Sequence, residues 1–283
     1  MKPTKDEIKA YTSQALERCL ESFPRLGDKE WGKKTSDRWT AKDYLAHLVI
    51  SQEEEENRLI QQALAGEPAN IPGFGSREEI NGYNEQMLGK VRDLPVSELL
   101  GRLKDAFAET LGTLDRLSEA DLDKPASSPG WDRPGTVRDL FFASYLHLPG
   151  HYQDIRRVAK KKLPHWVDAS TEEEVHFQMD RIFHYMPLIY WSDRGADMQA
   201  TYLFTMEGEG GGQWAVRISD GRAEAQRGAP ESFDMEFRTK PGLWMDLSTN
   251  DLNPMWAITT RKVHLGGNSS LAMKLGSLFQ VSE

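Results

Sequence analysis

This sequence of 283 residues has one cysteine, no long apolar run and no excess of positive charge. Its single cysteine, Cys19, excludes an intrachain disulfide and is typical of a reducing compartment. No apolar run approaches the ~20 residues that span a bilayer, and the N-terminus opens directly into an amphipathic pattern without a signal-peptide core. These absences predict a cytoplasmic protein with no membrane span.

The charge balance is acidic, with a formal net charge of −9 and an isoelectric point of about 5.4. An acidic protein gains nothing from a phosphate backbone, so we expect no nucleic-acid partner. Hydrophobic residues make up 39% of the chain, which is enough for ordinary globular cores. The length suggests about two domains.

Residues 1–165 carry apolar side chains at helical spacing and predict an antiparallel four-helix bundle with one long connection. Two helices have a clear start, because Thr40 and Thr136 are each followed three residues later by an aspartate. At the first start, Trp39 and Tyr44 are placed to form a hydrophobic staple.

The composition changes after a predicted linker at residues 166–174. An amphipathic helix begins near Val175, and short strands separated by glycine-rich turns follow from Tyr202 to Leu265, with further helical stretches among them. We predict that residues 175–283 form an α+β domain, with a small, mostly antiparallel sheet and helices on one side.

Three histidines are the most informative residues in the predicted bundle. His47 lies on one helix, and His147 and His151 stand four residues apart on another, which places both rings on one face. Three imidazoles can hold a divalent ion and leave one coordination position open for chemistry. Pro149 lies between the paired histidines, and proline normally kinks a helix, so we expect some departure from ideal geometry.

Around these histidines the N-terminal half resembles the DinB-like superfamily of metal-binding four-helix bundles. The matching stretches are Trp39-Thr40-x-x-Asp43-x-Leu45-x-His47-Leu48 and His147-x-x-x-His151-x-x-x-Ile155. The resemblance implies that His47, His147 and His151 bind one divalent ion, with zinc first and nickel or iron as alternatives. The mycothiol-dependent maleylpyruvate isomerase type of this family more often has a carboxylate where this chain has His147.

The C-terminal half resembles the sterol carrier protein type two fold. The similar stretches are residues 212–221, 234–237 and 266–275. Related modules hold lipids or other apolar molecules, and they also occur fused to mycothiol-dependent enzymes.

Together the two resemblances imply a bacterial, metal-dependent enzyme that uses a low-molecular-weight thiol, such as mycothiol or bacillithiol, as an isomerase or a thiol transferase. Its partners would be the thiol and an electrophilic or apolar substrate, and a homodimer is consistent with the family. Two alternatives stay open: a non-catalytic carrier of lipids or small apolar ligands, and a structural metal site without turnover.

Two further sets of residues have both a structural and a functional interpretation. Glu54 stands seven residues after His47, hence on the same helical face, and either belongs to a solvated acidic surface or supports the metal ligands. Large apolar residues in the C-terminal half form either a core or, for some of them, the wall of an apolar pocket. They are Phe204, Trp214, Phe237, Trp244, Met255, Trp256, Met273 and Phe279.

Overall fold

Helices occupy the first 156 residues wherever apolar side chains recur every three or four positions. The computed structural model describes residues 2–279. The helices of its first part are α1 (Lys5–Ser22), α2 (Asp28–Trp31), α3 (Ala41–Ile50), α4 (Asn57–Ala65), α5 (Ile80–Val91), α6 (Val96–Arg116), α7 (Glu119–Leu122) and α8 (Val137–Arg156). A short ribbon, β1 (Pro125–Ala126) and β2 (Gly135–Thr136), precedes α8.

The predicted four-helix bundle is confirmed. Helices α1, α3, α6 and α8 pack on one another, and α5 packs on the outside of α3. Their inward-facing side chains, Leu45, Leu103, Phe107 and Leu140 among them, are fully buried in one core. Both Thr-x-x-Asp starts form capping boxes, so each helix begins where its sequence signal predicts.

One turn of π-helix, Ser51–Glu56, joins α3 to α4. At its end the backbone N–H of Asn57 donates to the carbonyl of Gln52, five residues earlier. The Gln52 amide is buried and donates to Thr110 Oγ1 at 2.8 Å and to Ser144 Oγ at 3.3 Å. The wider turn is therefore tied to α6 and α8 by hydrogen bonds inside the bundle.

The second part is the predicted α+β structure. Its elements are α9 (Glu172–Tyr185), β3 (Ala200–Met206), β4 (Gly212–Ser219), β5 (Arg222–Arg227), β6 (Met235–Thr239), α10 (Pro241–Ser248), α11 (Pro254–Thr259), β7 (His264–Gly267) and α12 (Ser269–Leu278). The strands form a sheet in the order β5-β4-β3-β6-β7, in which only the central β3–β6 pair is parallel. The sheet is therefore mostly antiparallel, as predicted.

Helix α9 contributes to both cores. Phe177 is buried with the bundle, and its ring stacks on Tyr11 with a centroid distance of 4.2 Å. Met179 and Phe183, on another side of the helix, are buried against the sheet. The boundaries proposed at residues 165 and 175 stay predictions, since the helix that begins at Glu172 belongs to both cores.

Within residues 2–279, none of the helices combines the length and the apolar character that crossing a bilayer requires.

Candidate metal centre

The last turn of α3 carries His47, which is buried inside the bundle. Thr40 caps the helix, and its backbone N–H and hydroxyl donate to Asp43 Oδ2 at 2.9 and 2.8 Å. The predicted staple is present, because the Trp39 and Tyr44 rings meet edge to face at 5.0 Å. The Trp39 ring also lies 4.9 Å from the His47 ring and helps to fix its orientation.

Helix α8 carries the other two histidines and runs through Pro149 without interruption. The His147 and His151 rings are nearly parallel, with a centroid distance of 5.5 Å. The proline therefore does not separate the two rings. They lie on the same face of the helix, as their i, i+4 spacing predicts.

The three rings converge between α3 and α8. The His47 centroid lies 5.8 Å from that of His147 and 4.9 Å from that of His151. One nitrogen from each ring lies within 4.8 Å of the other two, and this is the one group of potential metal ligands found among residues 2–279. If the three rings moved slightly closer together, each nitrogen would lie ~2.0–2.1 Å from a shared zinc ion, which is the usual Zn–N distance.

The surroundings favour the uncharged form of these rings, which is the form that binds metals. Burial lowers the pKa of His47 well below its usual value, and positive charge on His151 and His147 would lower it further. Burial and His151 lower the pKa of His147 to about 3. The site is therefore ready to receive a cation without losing protons from its histidines.

Each ring also has an oxygen near its Nδ1 atom. Ser51 Oγ lies 3.3 Å from His47 Nδ1 and donates to Glu55 Oε1 at 3.1 Å. Asp154 Oδ2 lies 2.8 Å from His151 Nδ1. An acceptor at Nδ1 leaves Nε2 with its lone pair free for a metal, so these residues fit a three-histidine site.

Two carboxyl groups are buried beside the rings. Glu56 Oε1 lies 3.8 Å from His147 Nδ1, and Oε2 of the same side chain has no hydrogen-bond partner in the described part of the chain. Burial raises the pKa of Glu55 to about 8, although the hydrogen bond from Ser51 acts to lower it. Burial, and then the charge of Glu55, raise the pKa of Glu56 well above its usual value. A nearby divalent ion would favour the ionised form of both.

Of the two places given for Glu54, the structure has it on the solvated surface. Its side chain is exposed and forms an ion pair with Arg58 at 3.6 Å. The reason is the π-turn, which holds one residue more than an α-turn and so rotates the residues after Ser51. Glu55 and Glu56 face the interior instead, and the solvated interpretation of Glu54 is the one the structure supports.

The apolar residues proposed as a possible pocket wall fall into three groups by exposure. Phe204, Trp214, Phe237 and Trp244 are buried, and the Phe204 ring lies 5.6 Å from Phe237 and 5.0 Å from Trp244. Three others face solvent, with exposures of 55% for Met255, 47% for Trp256 and 69% for Met273. Phe279 is half-buried, 5.4 Å from the Tyr190 ring. The buried four belong to the core of this domain, and an apolar pocket that involves any of the eight residues stays a prediction.

Sequence reasoning missed Ser51, Glu55, Glu56 and Asp154. Ser51 and Asp154 had a signal, since they stand four and three residues after a histidine and so share its helical face. No sequence signal pointed to Glu55 and Glu56, because their inward orientation depends on a π-turn that the sequence pattern does not indicate.

Fold and site together define a protein with a helical bundle able to hold a metal ion and an α+β domain attached to it. The chain belongs to the DinB superfamily, whose family model matches residues 3–155. Residues 192–280 match the SCP-2 sterol transfer family.

Solved structures share this two-part architecture. Mycothiol-dependent maleylpyruvate isomerase aligns with a TM-score of 0.55 and 12% identity, over 86% of this chain and 88% of that chain. A mutant of that enzyme aligns with a TM-score of 0.57 and 11% identity over the same shares. At such identities the likeness shows a common fold.

A sterol carrier protein 2 like 2 from Aedes aegypti is 21% identical, with a TM-score of 0.25, over 28% of this chain and 72% of that chain. No curated protein matches the chain significantly.

Proposed function

We propose that this protein is a metal-dependent enzyme that uses a low-molecular-weight thiol, as an isomerase or a thiol transferase. The observation that carries the proposal is the convergence of His47, His147 and His151, whose nitrogens lie within 4.8 Å of one another. Three neutral nitrogen donors are the usual protein share of a catalytic zinc site, and zinc is the ion we expect.

A divalent ion held by these rings would supply Lewis acidity and would keep a sulfur ligand in its thiolate form at neutral pH. The protein residues provide the setting for that chemistry. Ser51 and Asp154 hold two of the rings through Nδ1, which leaves Nε2 of each available to an ion. His147 is the most accessible ligand, with a side-chain exposure of 33% against 19% for His151. We therefore expect thiol and substrate to approach from the His147 side.

His147 replaces the carboxylate that is more frequent at this position in the maleylpyruvate isomerase type. Three imidazoles carry no charge, so the full +2 of the ion stays unbalanced by its ligands. The Asp154 carboxylate, 2.8 Å from His151 Nδ1, and the buried carboxyl groups of Glu55 and Glu56 lie next to those ligands and are the sources of compensating charge. A cation with neutral ligands favours an anionic fourth ligand such as a thiolate.

The fold shared with a mycothiol-dependent isomerase supports a thiol as the co-substrate, with mycothiol or bacillithiol as the candidates. The SCP-2 match supports an apolar or electrophilic substrate that the C-terminal domain helps to present.

Metal analysis of the purified protein tests the proposal. Wild-type protein should contain about one zinc ion per chain, and His47→Ala, His147→Ala and His151→Ala should each lose it. His264→Ala is the matched control, because His264 is exposed on β7, in the sheet of the other domain. Unchanged stoichiometric metal in all three site variants would remove the basis of the proposal.

Activity is tested on the zinc-loaded protein with mycothiol and maleylpyruvate as probes. We expect thiol-dependent turnover in the wild type and in His264→Ala, and loss of turnover in the three site variants. Metal binding without any thiol-dependent turnover would favour the structural metal site.

The alternative function, a carrier of small apolar molecules, has the SCP-2 family match in its favour. The mutual packing of Phe204, Phe237 and Trp244 weighs against a preformed cavity at those residues. Native mass spectrometry separates the two functions, since a co-purifying lipid without metal would support the carrier.

A further inference from the structure

A continuous series of polar contacts leads from a metal ligand to the C-terminal domain. His151 Nδ1 lies 2.8 Å from Asp154 Oδ2, and Asp154 Oδ1 forms an ion pair with Arg157 Nη2 at 2.9 Å. The Nε edge of the same guanidinium faces Asp251 Oδ1 at 3.8 Å. Asp251 lies between α10 and α11, so the last contact joins the two cores.

Each member of this series is largely sheltered from solvent. The side chains of Asp154, Arg157 and Asp251 are 12%, 16% and 11% exposed. Water screens such sheltered charges only weakly. The loss of one charged neighbour therefore affects them far more than it affects surface ion pairs. The geometry of Asp154 is therefore sensitive to what Arg157 contacts on its other side.

The two carboxylate oxygens of Asp154 contact different residues. Oδ2 faces the histidine and Oδ1 faces the arginine. A guanidinium is planar and can bind both oxygens of one carboxylate at once. Arg157 does not do this here, because its Nη1 donates to the Thr35 carbonyl at 3.3 Å and its Nε edge faces Asp251.

We propose that Asp251 is a positioning residue of the metal centre, a proposal that rests on the proposed metal site. The Asp251 carboxylate lies 3.8 Å from Arg157 Nε, which has no hydrogen-bond partner in the described part of the chain, and its charge holds that edge of the guanidinium away from the second oxygen of Asp154. Asp154 Oδ2 then stays directed at His151, and the ring stays oriented toward the ion. The C-terminal domain thereby supports a metal site that lies wholly in the bundle.

The backbone around Asp251 is built to hold it in place. Asn250 adopts a left-handed conformation with φ of 58°, which turns the chain sharply after α10. The backbone N–H of Asp251 then donates to the Asp246 carbonyl at 2.8 Å. Lys160 Nζ contacts the Asp251 carboxylate at 3.0 Å, and Arg156 Nη1 lies 3.7 Å from it. The backbone therefore places the carboxylate, and Lys160, whose side chain is 51% exposed, adds only a surface ion pair to it.

The competing interpretation is that Asp251 only holds the two cores together. Two matched variants separate this from a positioning role. Lys160→Gln removes another ion pair of Asp251 and leaves Arg157 in place. Asp246→Asn removes a different contact between the cores, in which Asp246 Oδ1 lies 2.9 Å from His165 Nε2.

The experiment uses the full chain, stripped of metal and titrated with Co²⁺. Co²⁺ affinity and the visible absorption of the bound ion are measured, because that absorption reports ligand geometry. We expect Asp251→Asn to bind Co²⁺ about three- to tenfold more weakly, with an altered spectrum. Asp251→Glu should recover part of the loss, and Lys160→Gln and Asp246→Asn should match the wild type.

The outcomes are distinct. An Asp251→Asn protein with wild-type affinity and spectrum overturns the inference, and so does an equal loss in Lys160→Gln or Asp246→Asn. A wild-type protein that binds no Co²⁺ overturns the proposed metal site itself. Circular dichroism of each variant checks that the fold is intact, and the spectrum of bound Co²⁺ is compared only among folded variants.

Discussion

At the residue scale, the proposed metal centre depends on side chains that contact the Nδ1 atoms of the histidines. His151 Nδ1 lies 2.8 Å from Asp154, the shortest contact made by any of the three rings to its supporting oxygen. Such a carboxylate fixes the tautomer of the ring and increases the electron density at Nε2. Loss of that carboxylate should therefore weaken metal binding without removing a ligand.

We predict that Asp154→Asn lowers zinc affinity by about 10- to 100-fold. The asparagine keeps the size of the side chain and loses its charge, so the effect isolates electrostatic support. Competition with a chromophoric chelator measures the affinity.

Glu54→Gln is the control for this measurement. Glu54 is an exposed carboxylate on the helical segment that follows His47, and its pair with Arg58 is remote from the ring contacts. Its loss should leave zinc affinity unchanged. If Glu54→Gln weakened binding as much as Asp154→Asn, the assignment of Glu54 to the solvated surface would be wrong.

At the scale of elements, the position of His47 follows from the start of α3. Thr40 and Asp43 close a capping box, and this feature was visible in the sequence. We predict that Thr40→Ala lowers the free energy of unfolding by about 1 kcal/mol, because the backbone N–H of Asp43 loses its acceptor and the Asp43 carboxylate loses the hydroxyl donor. Urea denaturation measures the change. Thr40→Ser keeps the hydroxyl and should restore most of the stability, and an equal loss in both variants would contradict a capping role.

A buried carboxylate joins helix α9 to the sheet, in addition to the apolar contacts of Met179 and Phe183. Asp180 accepts from Trp214 Nε1 at 2.8 Å and from Arg227 Nε at 3.0 Å. Burial by itself would raise its pKa, but the hydrogen bonds from Arg227 and Trp214 and the charge of Arg181 prevail and lower the pKa from 3.8 to about 2. A depressed pKa means that the native state favours the ionised form.

We therefore predict a pH-dependent contribution from Asp180. Its stabilisation is fully present above the unfolded value of 3.8 and is lost as the pH falls through about 2. Wild type and Asp180→Asn should differ clearly in unfolding free energy at pH 6, and the difference should shrink steadily toward pH 2. Denaturation curves at several pH values measure this. A difference that does not depend on pH would mean that Asp180 acts by packing alone.

At the scale of the whole molecule, metal binding should stabilise the fold, because the three ligands converge only when α3 and α8 are packed together. An ion that binds only the native state, at 100 times its dissociation constant, adds about 2.7 kcal/mol. We predict that zinc raises the melting temperature of the bundle by about 5 °C or more, and that a chelator reverses this.

His47→Ala should show no such shift when zinc is added, whereas His264→Ala should behave as the wild type. Differential scanning calorimetry measures all three proteins. A wild-type melting temperature that does not respond to zinc would count against a native metal site.

The sequence by itself determined the features that depend on neighbours along the chain. Helical periodicity, the capping boxes at Thr40 and Thr136, and the glycine-rich hairpins of the sheet are local, so the two-part fold followed from them. The i, i+4 spacing of His147 and His151 is local as well, and it indicated the candidate ligands.

Only the tertiary structure decided which side chains surround those ligands. Ser144 and Thr110 reach Gln52 from other helices, and the π-turn beside that glutamine turns Glu55 inward and Glu54 outward. The same holds for the aromatic residues of the C-terminal half, because composition does not reveal whether large rings fill a space or line it. These outcomes depend on contacts between residues far apart in the chain, and such contacts form only when the elements pack.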